Sequence, residues 1–106
     1  MSAWVAFDDG RSIGKVNREG AVILQDERHS LGGRITLRRG SAHISVSCKI
    51  NGWMDHTRFF KTVPDAEREY HVMKKALIKV IEMSAAAKRG DVAAWEVISV
   101  FVAKFP

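Results

Sequence analysis

The chain is predicted to be α+β: an antiparallel meander of four to six strands, then two C-terminal helices, the first packed on the apolar sheet face. Three observations predict it. Ile44 to Ile50 alternates strictly between apolar and polar residues, the period of a half-buried strand. Asn51-Gly52 stands between two alternating runs, and that dipeptide suits a two-residue type I′ hairpin turn, which needs positive φ at both positions. From Ala66 to Ser84 apolar residues return at helical spacing. A chain of 106 residues makes one domain, with the sheet over about 3–61 and helices over about 63–89 and 91–105.

Trp4 to Phe7 is a short apolar run closed by Asp8-Asp9-Gly10. Ser12 to Val16 is a second, weakened by Gly14, and Ala21 to Gln25 a third. Asp26 to Gly33 reads as the longest connection in the sheet region, bent at Gly32-Gly33. A phosphate-cradling loop there would need more glycines and a following helix, and a strand follows instead. With two-residue turns at Arg39-Gly40 and Asn51-Gly52, Ile35 faces Ile44, Leu37 faces Ala42, Ile50 faces Trp53 and Cys48 faces Asp55. Ile35, Leu37, Ile44, Val46, Cys48, Ile50, Trp53 and Phe59 then share a core face. Arg34, Arg38, His43, Ser45, Ser47, Lys49, His56 and Arg58 share the other. Met54 and Phe60 fall on that polar side, so the last strand fits least cleanly.

Thr62-Val63-Pro64-Asp65 opens the first helix, with Thr62 as its cap and Asp65 placed as in a capping box. Ala66, Tyr70, Met73, Leu77, Val80, Ile81 and Ser84 form its buried stripe. Val72, Ala76 and Met83 widen the apolar surface on one flank, leaving room for a second packing partner. Gly90 ends this helix and Asp91 caps the next. Val92 to Phe105 has the Val and Ile content of a strand but the pattern of a helix, with Trp95, Ile98, Phe101, Val102 and Phe105 on one side. The pattern decides for helix.

The composition argues against several chemistries. One cysteine, Cys48, allows no intrachain disulfide, and it belongs to a core-facing strand position, where a thiol behaves as a small hydrophobe. No two of His29, His43, His56 and His71 have compact metal-ligand spacing, so no metal is expected. Ser45 and Ser47 share a face with His43 and His56, but no orienting carboxylate accompanies them. The acidic pairs Asp8-Asp9 and Asp26-Glu27 read as turn and strand-end chemistry. Neither an enzyme nor a cofactor is expected. No signal peptide or membrane span is visible, which makes the cytoplasm the expected location.

A small non-catalytic protein-interaction domain is therefore the leading expectation. The many aromatics and the Val-rich tail exceed what so short a chain can bury, which predicts a homodimer seamed by the last helix or an edge strand. The formal charge of +5 supports the alternative, a module holding single-stranded RNA or DNA. Its surface would comprise Arg34, Arg38, His43, Lys49, His56 and Arg58.

Overall fold

In a computed structural model, residues 3–88 and 90–106 are described. The expected α+β architecture is present: five antiparallel strands in the order β1-β2-β3-β4-β5, then two helices. The strands are β1 (Trp4–Ala6), β2 (Val22–His29), β3 (Arg34–Arg39), β4 (Ile44–Ile50) and β5 (Met54–Phe60). The helices are α1 (Val63–Ala86) and α2 (Val92–Lys104). Arg89, the predicted last residue of the first helix, lies outside the described residues. Among the described residues, no helix is long and apolar enough to cross a membrane.

β4 carries the alternation into the structure. Ile44, Val46, Cys48 and Ile50 are buried beneath α1, while Ser45, Ser47 and Lys49 face outward. Both of its hairpins are longer than predicted. β3 and β4 are joined by Gly40–His43, so Leu37 pairs with Val46 and Ile35 with Cys48. That pairing is displaced from the expected one by an even number of residues, so each side chain keeps its face. At the next hairpin the displacement is one residue. Trp53 joins the turn, its N–H bonding Ile50 O at 2.9 Å. Gly52 has φ +80°, and Asn51 is not among the non-glycine residues with positive φ. A type I′ turn needs both positions in that region, so the two-residue loop is not made. Ile50 pairs with Met54, Cys48 with His56 and Val46 with Arg58. Every β5 side chain therefore lies on the face opposite to the predicted one.

Phe59, expected in the core, is 61% exposed on the outer face, while Met54 is buried. Trp53 is half-buried at the turn, its ring 4.8 Å from that of Trp95. Trp53→Ala should cost about 1–2 kcal/mol, well short of the ~3–5 of a fully buried aromatic. Urea unfolding followed by far-UV circular dichroism checks this, and a loss near 4 kcal/mol would overturn the half-buried placement.

β2 is longer than predicted. It runs on through Asp26, Glu27, Arg28 and His29, which read locally as a polar loop. Two of these polar groups find partners on other elements. Asp26 accepts from Arg34 and Thr36, and Glu27 accepts from the Tyr70 hydroxyl at 2.6 Å and Lys74 at 2.9 Å. The predicted Ser12–Val16 strand is reduced to one bridge, Val16 to Val22, where Gly14 at φ +86° breaks the extended path. Between β1 and that bridge, residues 7–14 arch over the outer face: the Phe7 ring lies 3.6 Å beneath the Arg34 guanidinium, and Ser12 is buried.

α1 buries Ala66, Tyr70, Met73, Leu77, Val80, Ile81 and Ser84, the stripe read from spacing. Thr62 caps it by accepting from Asp65 N at 3.3 Å, but Asp65 gives its carboxylate to Arg68 at 2.6 Å instead of closing the box. The helix ends at Ala86, short of Gly90, with Ala87 N–H bonding Ser84 O. Near that end α1 passes so close to the β2–β3 turn that a Cβ on Gly33 would lie 2.6 Å from Ile81 Cδ1. The tail is helical, and Asp91 Oδ1 accepts from Ala93 N and Ala94 N. α2 buries Ala94, Ile98 and Phe101, and Phe105 is buried just beyond it. Trp95 stays 40% exposed.

Candidate interaction surfaces

The outer face of the sheet is built in cross-strand rows, because antiparallel pairing sets like-facing residues side by side about 4.5–5.5 Å apart. One row runs Val5, Arg28, Arg34, Lys49, Asp55. The next runs Asp26, Thr36, Ser47, Thr57, stitched by Thr36 to Asp26 at 2.9 Å and by a Ser47–Thr57 hydroxyl contact of 3.0 Å. A third holds Arg38, Ser45 and Phe59. His43, in the loop before β4, sets its ring edge-on against Phe59 at 4.8 Å.

The expected basic surface is therefore only partly assembled. Arg34, Arg38, His43 and Lys49 lie on or beside this face. His56 and Arg58 do not: the one-residue displacement of β5 turns them under the helices. His56 Nε2 donates to the Phe105 carbonyl oxygen, and Arg58 Nη1 to Glu69 Oε1 at 2.7 Å. Those two side chains hold the helical layer to the sheet and are not offered to a ligand. Arg34 is also committed, its Nε and Nη2 gripping both oxygens of Asp26 at 2.9 and 2.6 Å.

Burial alone would raise the pKa of Asp26. Hydrogen bonds from Arg34 and Thr36, the nearby Ser12 hydroxyl and the Arg34 charge outweigh it and hold the carboxyl below its ordinary value. Ser12 lies toward that carboxylate without a hydrogen bond of good geometry. Arg34 is raised in turn, chiefly by the bond to Asp26. Cys48 lies fully inside the core, and burial pushes its thiol up to about 12, so almost no thiolate forms at neutral pH. Its cross-strand partner is His56, not Asp55. Among the described residues, no three His, Cys, Asp or Glu side chains converge as a metal site requires.

The second surface lies on the other layer. α1 and α2 leave an open groove of about 620 Å³, floored by Ala76, Val80, Met83, Val97 and Phe101. Val100 stands on its lip with 68% of its surface exposed. Along the α2 side the stripe reads Glu96, Val100, Lys104, at steps of four. Lys75 and Lys79 edge the α1 side. Spacing alone pointed to the flank Val72, Ala76, Met83. The α2 contribution is hidden in the sequence because the tail's composition leaves strand and helix in competition, and only the packing of α2 beside α1 shows that Glu96, Val100 and Lys104 line a groove. Arg28 gains its place on this face only because β2 continues through residues that read locally as a loop. The chain matches no family model, no curated protein and no solved structure among those compared.

Proposed function

We propose that this chain is a protein-interaction module that works as a homodimer, with α2 as its seam. One observation carries the reading: an apolar groove is left open between two helices, and charges of opposite sign lie four positions to either side of its most exposed apolar residue, Val100. Glu96 and Lys104 each stand four positions from Val100. A two-fold axis beside Val100 with the α2 helices antiparallel sets Glu96 of each copy against Lys104 of the other. At a rise of about 1.5 Å per residue, both pairs lie ~6 Å from the axis, and a crossing near 20° separates the helices there by only about 2 Å more. The contact is self-complementary, as a two-fold interface must be. It covers Val100 and brings Val97 against the partner's small Ala103, and α2 of the partner also reaches the α1 wall of the groove. The outer sheet face stays free for other molecules. The loss of His56 and Arg58 from that face supports protein contact over a nucleic-acid track.

The mass by light scattering should be twice 11.9 kDa at micromolar concentration. Glu96→Lys places like charges at both pairs and should weaken dimerisation by about 10–100-fold. Glu96→Lys combined with Lys104→Glu should restore it. A wild-type monomer at about 50 μM, or single and double variants of equal mass, would defeat the assignment.

A further inference from the structure

We infer that the cleft at the end of the sheet beneath the last turns of α1 binds the phosphate group of a small organic phosphate. It has about 640 Å³ of space, the scale of small-molecule sites, and lies between the β2–β3 turn, the β4–β5 turn and α1. Arg28, Arg34 and Lys49 border it from directly opposed positions on three adjacent strands. Like charges so placed repel, and the arrangement becomes favourable when an anion sits between them. The chain itself supplies only partial compensation. Asp26 neutralises Arg34, whereas no ion pair holds Arg28 or Lys49 among the described residues, even with Asp55 opposite Lys49.

The arrangement is also preset. Asp26 and the Phe7 ring fix the Arg34 guanidinium, and two of its five N–H groups are used on Asp26. Its remaining donors are held at the border of the cleft by these contacts, which removes an ordering cost from binding an anion there. The cleft is larger than a phosphate ion, and its inner walls differ in character. Trp53 and Ile81 are apolar, and the buried Ser84 hydroxyl has no hydrogen-bond partner. The nearby C-terminal end of α1 carries partial negative charge. The anion therefore seats at the cation row, and a neutral, hydroxyl-bearing body extends toward α1. A polynucleotide fits less well: the row ends at Asp55, the neighbouring row consists of Asp26 and hydroxyls, and no second run of cations continues it.

Titration calorimetry of the full chain at low salt tests this with glucose 6-phosphate, adenosine monophosphate, inorganic phosphate and a ten-nucleotide single strand as probes. One of the two organic phosphates should bind at least about tenfold more tightly than inorganic phosphate. Arg28→Gln and Lys49→Gln, both at exposed positions, should each weaken that binding by about 10–100-fold, the usual share of a charge-assisted hydrogen bond, while leaving the melting temperature without ligand unchanged. No heat from either organic phosphate at about 10 mM, binding by both variants equal to that of the wild type, or preference for the oligonucleotide would overturn the inference.

Discussion

Leu77→Ala should lower the free energy of unfolding by about 3–5 kcal/mol. Leu77 is fully buried in the middle of the α1 stripe, in the same core cluster as Ile35, Leu37, Val46 and Cys48. Truncation removes the transfer energy of the lost carbons and leaves a cavity, because strands on one side and a helix backbone on the other cannot collapse into it. A domain of this length has on the order of 5–15 kcal/mol in total, so the variant stands near the edge of folding. Urea titration at neutral pH measures it. A loss below about 1 kcal/mol would mean that α1 does not rest on the sheet as described.

Asp26→Ala should cost about 2–4 kcal/mol through a different mechanism. The substitution strands the Arg34 guanidinium and the Thr36 hydroxyl, each of which now bonds the same buried carboxylate. The buried Thr36 hydroxyl cannot recover water, and Arg34, 31% exposed, recovers it only in part, so the loss exceeds that of an exposed ion pair. The pH dependence supplies a second check. The folded-state pKa of Asp26 is lowered, so its contribution is fully present above the ordinary carboxylate range and is lost as pH falls through the folded value. Asp26→Asn removes that proton-linked contribution. Urea midpoints taken downward from pH 7 should fall less steeply for Asp26→Asn than for wild type in the acid range. Parallel curves would show that the carboxylate has the same affinity for protons folded and unfolded.

Helical spacing carried more structural information than any other signal. All seven buried positions of α1 were legible, because a 24-residue helix repeats its pattern over many turns. The faces of β3 and β4 were legible although their pairing was not, since an even displacement preserves sidedness. β5 failed for the complementary reason. Met54, His56, Arg58 and Phe60 are as mixed as Asp55, Thr57 and Phe59, so only the turn could set its orientation, and a type II-like bend with Gly52 alone at positive φ is not distinguishable from type I′ in the letters Asn-Gly. The polar half of β2 was hidden because its partners, Arg34, Thr36, Tyr70 and Lys74, come from other elements. For the candidate surfaces, residue types were legible and neighbours were not: His56 and Arg58, expected on one basic face, are turned under the helices, and the row that includes Arg28 exists only through strand pairing.

The extra residue in the β4–β5 turn makes loop length a lever on a distant layer. Deleting one amino acid there would rotate β5 by half a turn about its own axis. Phe59 would swing inward, and Arg58 and His56 would be carried away from Glu69 and Phe105. α2 would lose its tether to the sheet, and the proposed subunit contact would lose its support, without any change to a residue that forms it. An indel in this surface hairpin would thus act as an assembly mutation, and a screen for dimer-deficient variants would recover it alongside substitutions at Val100.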